Sequence, residues 1–334
     1  MHFVPSPAAP PDLETLRPPC GELRSDRRVP RETVHKSATA EVLLTDAKHL
    51  GGDRFAVAAR WHRDHFIGPL DGRSFDPVLL AETARQAAIH VSHRFLGIPF
   101  EQPFVLGEIA AQLDGALPPL RDAVLDVRCR RTAGHPRRAC LELNARVWAE
   151  GRPVGRARVR WEAMEPRRYA VLRKRGAAQP PAGAGAADAD AVPLPPARAG
   201  LRLDRDVLVA ADAGRPDRWW LRLDPGHPVL FDHPSDHIPG MALVEAFRQA
   251  SGAAAVAGGT IRPESVRDVA ALAVEFTSFG EHDLPVAVSA ESAEAHEGAA
   301  AFQLAATQGD RALARARVRW AAPERTGCRT GAAC

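Results

Sequence analysis

Glutamate, arginine and glutamine recur together in this chain, as Glu82, Arg85 and Gln86 and again as Glu245, Arg248 and Gln249. In a helix, spacings of i, i+3 and i+4 place all three side chains on one face. Such a face has two kinds of use. The glutamate can take a proton or position the group that does, while the arginine holds a phosphate or carboxylate in its planar fork. The plainer use is an ion pair that fixes packing, because buried charges must be matched. His93, eleven residues after Glu82, continues the first stripe.

The segments ahead of the two stripes add further groups. Phe231-Asp232-His233-Pro234-Ser235-Asp236-His237-Ile238-Pro239-Gly240 carries two Asp-His pairs just before a helix start. Backbone N–H groups around Gly240 suit a developing oxyanion on a thioester carbonyl. In the first copy the loop has Asp64-His65-Phe66 and closes in Asp76-Pro77, an acidic cap and a proline that seal the helix start. The second copy is therefore expected to be the better oxyanion site. Candidate catalytic residues are Glu245, His233, His237, Gly240 and Glu82. Candidate substrate-binding residues are Arg248, Arg85, Gln249, Gln86, Asp236 and His65. For each histidine the alternative is a structural hydrogen bond near a strand end.

His233, Asp236 and His237 are also metal-ligand types, but Pro234 and Pro239 deny them the helix that would aim them together, so no metal site is expected. There is no glycine-rich phosphate loop and no G-x-S-x-G elbow.

These residues need elements to hold them. The hexapeptide Arg-Ala-Arg-Val-Arg-Trp occurs intact at 156–161 and at 315–320, in the same order relative to the two stripes. Two ordered matches at nearly equal separations imply duplication of a whole domain. Block one reads as strands at 40–44 and 55–61, a histidine-bearing loop, a helix from Asp76-Pro77 to about Phe95, and strands near 104–110, 122–132, 139–150 and 153–162. Block two repeats this: strands near 205–211 and 217–223, a loop, a helix from Pro239 to about Ala257, then strands near 269–277, 285–292, 299–307 and 311–321. Both helices are apolar nearly all round, as an enclosed helix should be. The fold expected is α+β, a tandem double hotdog: two long central helices, each wrapped by an antiparallel sheet, packed as an intramolecular pseudo-dimer. Arg-x-Arg-x-Arg reads as the solvated face of an alternating strand.

Composition sets the limits. A chain of 334 residues with 45% hydrophobic and 25% charged residues suits two globular domains. Residues 1–33 read as a disordered arm, 34–172 as the first domain, 173–200 as a Pro/Gly/Ala-rich linker, 201–322 as the second domain and 323–334 as a flexible tail. A net charge of +3 is too weak to argue for nucleic acid. Five cysteines with no C-x-x-C pair indicate neither zinc nor a disulfide framework. No signal-peptide pattern and no run of eighteen apolar residues is present, so a cytoplasmic protein away from membranes is expected.

The string from Phe231-Asp232-His233 through Pro239-Gly240-Met241 to Glu245-Ala246-Phe247-Arg248-Gln249 resembles the second repeat of the A-factor biosynthesis (AfsA) hotdog family. Val34-His35-Lys36, Asp76-Pro77 through Glu82-Thr83-Ala84-Arg85-Gln86, and Gly97-Ile98-Pro99 resemble its first repeat. The likeness implies an acyltransferase of γ-butyrolactone signal synthesis. Such an enzyme moves a β-ketoacyl group from an acyl carrier protein or CoA thioester onto the hydroxyl of dihydroxyacetone phosphate. It implies functional roles for Glu82, Glu245 and Arg248, with Arg85 as the first-repeat counterpart. No cofactor is expected beyond the thioester carrier itself, and association of two chains is left open. The rival readings are a hotdog thioesterase or dehydratase, and a non-catalytic acyl- or lactone-binding regulator.

Overall fold

A computed structural model describes residues 23–68, 75–115, 117–135, 138–177, 181–183, 190–293 and 299–321. In chain order its elements are β1 (Leu44–Gly51), β2 (Arg54–Arg60), α1 (Pro77–Phe95), β3 (Phe104–Leu113), β4 (Asp122–His135), β5 (Arg138–Ala149), β6 (Arg152–Met164) and α2 (Pro166–Ala177). There follow β7 (Val192–Pro193), β8 (Val209–Ala211), β9 (Arg218–Leu221), α3 (Gly240–Ala257), β10 (Val269–Phe276), β11 (Ala287–Ala293), β12 (Ala301–Gln308) and β13 (Arg311–Trp320).

The thirteen strands of the described residues form one sheet in the order β1-β2-β4-β5-β6-β3-β10-β13-β12-β11-β9-β8-β7. β1 to β6 come from the first half and β7 to β13 from the second. They meet where β3 pairs antiparallel with β10, Gln112 opposite Ala271 and Glu108 opposite Glu275. Like charges facing across strands are unfavourable. Here Glu108 is neutralised by Arg160 Nε at 2.7 Å, and Glu275 faces Arg315 on β13.

α1 starts as its sequence requires. The Asp76 carboxylate accepts the Val78 N–H at 2.8 Å, Pro77 occupies the first turn, and Gly97 leaves the helix end with φ +67°. The helix packs on β1, β3, β6 and the seam strand β10. Its side chains are buried from Pro77 through His93 except Arg85. α3 lies against β11, β12 and β13, and is buried from Met241 to Gly252. In the repeated hexapeptide, Ala157, Val159 and Trp161 face the core, as do Ala316, Val318 and Trp320. The arginines between them point outward.

The halves correspond in detail. A 3₁₀ turn at Arg31–Val34 is preceded by Pro30 and closed by His35 at φ +52°; its counterpart, Pro196–Ala199, is preceded by Pro195 and closed by Gly200 at φ +71°. Second 3₁₀ turns follow at Thr39–Glu41 and Asp204–Asp206.

Three expectations change. The strand placed at 40–44 is mostly that second turn and starts only at Leu44, with the apolar run Val42-Leu43-Leu44 buried as a corner, and the strand placed at 205–211 likewise starts only at Val209, after the turn at Asp204–Asp206. Residues 23–33, read as part of an arm, are mostly exposed but are fastened to the fold at Val29 and Thr33, which are buried, and the Val29 N–H donates to Leu44 O at 3.0 Å. Helix α2 was not expected, and it carries block one past residue 172 into the segment read as linker. Residues 1–22, 178–180, 184–189 and 322–334, where the rest of the arm, linker and tail were placed, lie outside the described residues. No helix among those described is long and apolar enough to cross a membrane.

Candidate functional site

On α1, Glu82 is 1% exposed and accepts from Arg85 Nε at 2.7 Å and Nη2 at 2.9 Å, and from Gln86 Nε2 at 2.9 Å. Lys36 Nζ stands 3.2 Å from the same carboxylate. Burial alone would raise this carboxyl, but Arg85 and Lys36 beside it, with the bonds from Arg85 and Gln86, outweigh burial and hold it below the ordinary carboxylate range. A carboxylate so occupied is a poor proton acceptor. Its work is to hold two cations in place.

The cations do not face their own half alone. Asp232, from the loop before α3, accepts the N–H groups of Ser37 at 2.7 Å and Ala38 at 2.8 Å. That anchors the loop beside Lys36 and brings in His233, whose charged neighbours are Arg85, Lys36 and Asp232. Burial first, then Arg85 and Lys36, lower the His233 pKa. The His233 side chain is 45% exposed and that of Arg85 19%, so this cluster reaches solvent.

Behind it lies a histidine pair. His93 Nδ1 is 2.8 Å from the Ile98 carbonyl, and its Nε2 is 2.8 Å from His35 Nε2. His93 stacks on Phe100 and Phe104. Burial, then His93, Arg85 and His233, lower the His35 pKa to about 3, so its ring is neutral near pH 7.

The second copy has the same frame and different surroundings. Arg248 grips Glu245 through Nη2 at 2.6 Å and Nε at 3.0 Å, and its Nη2 also donates to Ala199 O at 3.0 Å. Glu245 is 0% and Arg248 2% exposed. The neighbours are loop residues of the first half. His65 Nδ1 accepts from Ile67 and Gly68 N–H at 3.3 and 3.2 Å, while its Nε2 lies 3.6 Å from Asp76 Oδ2. Burial, then Arg248 and Arg267, hold His65 well below its usual pKa, and burial, with Glu245 adding to it, raises the Asp76 carboxyl against the pull of Arg248.

Among the described residues, His65, Asp76 and Glu245 form the one group whose ligand atoms lie within 4.8 Å of one another. Glu245 is already held by Arg248 and Gln249, so a cation there would have to displace or face a guanidinium.

Several expected roles shift with this geometry. His233 and His237 were expected to work with Glu245. Instead each histidine loop crosses to the other half, His65 toward Glu245 and His233 toward Arg85. The ion pair of the second copy is also the more enclosed, with His65 and Asp76 beside Glu245. His237 donates Nδ1–H to Asp236 at 2.6 Å, and Asp236 also accepts from Tyr169 OH at 2.7 Å and Arg173 Nε at 3.1 Å, both on α2. Arg173 further pairs with Glu281 at 2.9 Å. This group, with Asp236, fastens the loop and stands apart from both glutamates' partners, so the metal-ligand trio His233, Asp236 and His237 does not converge.

Gln86 and Gln249, expected to bind substrate, are fully used in the frame. Each donates to its glutamate at 2.9 Å and to a turn carbonyl, Glu41 O at 2.8 Å or Asp206 O at 2.9 Å. Each also accepts a backbone N–H at 2.8 Å, from Leu43 or Leu208. Gly240 begins α3, which has no side-chain cap. A Cβ there would stand 3.3 Å from Phe276 and 3.5 Å from Leu106, a close but not forbidden fit against the Phe276 ring.

Sequence reading noted His35 and Lys36 only within the string that carries the family resemblance, and passed over Tyr169, Arg173 and His227. His227 is the second-half counterpart of His65, with Nδ1 accepting from Val229 and Leu230 N–H at 3.3 and 3.2 Å. The signal available was positional: His65 and His227 stand at nearly the same distance before their glutamates.

The A-factor biosynthesis hotdog domain matches this chain twice, over residues 22–165 and 184–323. A Streptomyces virginiae protein named 2-oxo-3-(phosphooxy)propyl 3-oxoalkanoate synthase is 35% identical over 271 residues, covering 79% of this chain and 87% of that one. Proteins of the same name from Streptomyces coelicolor and Streptomyces griseus are 34% identical over 231 residues and 32% over 251. They cover 67% and 70% of this chain, and 71% and 78% of their own lengths. The same two-fold occurrence that the paired Glu-x-x-Arg-Gln helices display is thus found by the family's own domain, and the chain belongs to the A-factor biosynthesis (AfsA) hotdog family.

Proposed function

We propose that this chain is an acyltransferase that joins a 3-oxoacyl group, delivered as an acyl carrier protein or CoA thioester, to the hydroxyl of dihydroxyacetone phosphate in γ-butyrolactone signal synthesis. One structural observation carries the reading. The cluster of Arg85, Lys36 and His233 holds a guanidinium and an ammonium on one buried glutamate and reaches solvent at Arg85 and His233, which suits a phosphate-bearing acceptor. The likeness to the synthases supports the acyl half of the reaction.

The reaction needs no redox or electrophilic cofactor, because a thioester is already an activated acyl donor. The acceptor phosphate is held by Arg85 and Lys36, and its carbon chain extends toward the loop from His233 to Gly240. The α3 amides at Gly240 and Met241 are the donors we assign to the thioester oxygen. Glu245 and Arg248 form the buried counterpart that keeps the two halves in register. On this reading the chain is an intramolecular pseudo-dimer, one helix to each half, with domains near 34–172 and 201–322, working in the cytoplasm.

Mass spectrometry of the protein with a 3-oxoacyl thioester, with and without dihydroxyacetone phosphate, tests this. A phosphorylated ester should form only when both substrates are present. Release of thiol at an undiminished rate without the acceptor would instead establish a thioesterase.

A further inference from the structure

The two halves differ most where their backbones agree best. His35 and Gly200 close equivalent 3₁₀ turns, both with positive φ, +52° and +71°. Glycine is the residue such a position ordinarily favours, and histidine is among the few others that enter it readily. In the second half a Cβ at Gly200 would come within 2.7 Å of Arg267, so glycine is required. In the first half a histidine is kept instead. The neighbouring positions diverge in the same direction. Lys36 corresponds to Leu201, and His93, eleven residues past Glu82, corresponds to Val256, eleven past Glu245. Three chemistry-bearing side chains therefore appear together in one half and are absent together from the other.

Their hydrogen bonds fix which nitrogen is free. The Ile98 carbonyl can only accept, so His93 Nδ1 carries the proton in that 2.8 Å bond. Neutral His93 then offers a lone pair at Nε2. His35 Nε2, 2.8 Å away, must carry the proton between them. This leaves His35 Nδ1 with a lone pair, on a ring whose charged neighbours include Arg85 and His233.

Resting on the transferase reading, we propose that His35 is the general base of the reaction and that His93 is its positioning residue. His35 Nδ1 removes the proton of the acceptor hydroxyl as that oxygen attacks the thioester carbonyl carbon. The O–H bond breaks and the C–O bond forms. The tetrahedral intermediate then collapses, the C–S bond breaks, and the leaving thiolate takes the proton back from His35 Nδ1. During the protonated interval the Nε2–H bond to His93 spreads the positive charge of the ring. Glu82 cannot do this work, because Arg85, Gln86 and Lys36 occupy its oxygens. The charged and titratable groups that act on the pair are Arg85 and His90 on α1, His233 from the second half and Glu101 near His93. Burial is the largest cause disfavouring a charged His35, and a phosphate dianion bound at Arg85 would offset the part that comes from the guanidinium.

The test is steady-state kinetics of the full chain with a 3-oxoacyl-CoA and dihydroxyacetone phosphate, for wild type, His35→Asn and His93→Phe. Asparagine tolerates positive φ, and phenylalanine keeps the stacking on Phe100 and Phe104. For His35→Asn, kcat should fall about 10²–10⁴-fold with KM for the acceptor within about threefold, and the acidic limb of the kcat profile should vanish. For His93→Phe, kcat should fall about tenfold and the acidic limb should remain but move. Thermal denaturation establishes that both variants are folded. A His35→Asn variant with wild-type kcat and an unchanged acidic limb overturns the assignment alone. A wild-type protein that makes no ester overturns the transferase reading and the assignment with it.

Discussion

Arg85 and Arg248 grip their glutamates by the same i,i+3 geometry, yet the Arg85 side chain is 19% exposed and that of Arg248 only 2%. One ion pair thus has a face left for a ligand, and the other is enclosed by protein. The two should respond differently to the same kind of substitution.

At the open pair, Lys36→Met and Arg85→Ala should each raise KM for dihydroxyacetone phosphate by about 10–100-fold, the value of one charge-assisted hydrogen bond. Arg85→Lys should recover little, because an ammonium lacks the planar fork. Acceptor titrations at fixed thioester concentration measure this; unchanged KM in both variants would move the phosphate elsewhere.

At the enclosed pair, Arg248→Met leaves Glu245 buried without its partner and should cost about 3–5 kcal/mol of folding stability. Urea denaturation reads that loss. Glu245→Gln should also destabilise, since Arg248 is then left unmatched. A stable but inactive Glu245→Gln protein would contradict the framework role and return Glu245 to the chemistry.

These contrasts show which features a sequence displays. The duplication, both helices and both ion pairs were legible, because a hexapeptide, an N-cap and an i,i+3 spacing are local signals. The crossing of the loops was not. Spacing from His233 to Glu245 says nothing about Asp232 bonding Ser37 and Ala38 in the other half. α2 escaped because it has no apolar stripe: Val171 and Leu172 are exposed, and its hold on the protein is polar, through Tyr169 and Arg173. His35 stood only in a string that carried the family resemblance, and no role for it could be read until its turn was laid on that of Gly200.

The loop bearing His233 is tied at two points, so each tie can be cut separately. Asp232→Ala removes the acceptor for two N–H groups, and Arg173→Ala removes the link from α2 to Asp236 and Glu281. Each should lower stability by about 1–2 kcal/mol. Only Asp232→Ala should strongly raise acceptor KM, because it frees the end nearest Arg85. Equal KM effects would mean that the loop moves as one rigid piece.

Acid should weaken the fold early. His65 and His90 are buried, with pKa values lowered first by burial, His90 to about 4. Below about pH 6.5 the unfolded chain binds protons that the folded chain refuses, so stability falls with falling pH until the folded pKa is passed. Each such histidine contributes up to about 1.4 kcal/mol per pH unit. Glu82, held low, adds its loss only below about pH 4.5 as pH falls toward its folded value. Urea midpoints from pH 7.5 to 4 check the sign; His90→Gln should flatten the slope between pH 6.5 and 4.

The β3–β10 seam joins the halves within a single chain, and that removes a restriction. In an assembly of identical subunits every substitution is written twice, so a catalytic histidine gained at one turn must also be tolerated at its twin. Here His35 is written once, opposite a glycine that Arg267 requires. One half is free to drift toward reactivity while the other is held to rigidity, and neither has to satisfy both demands.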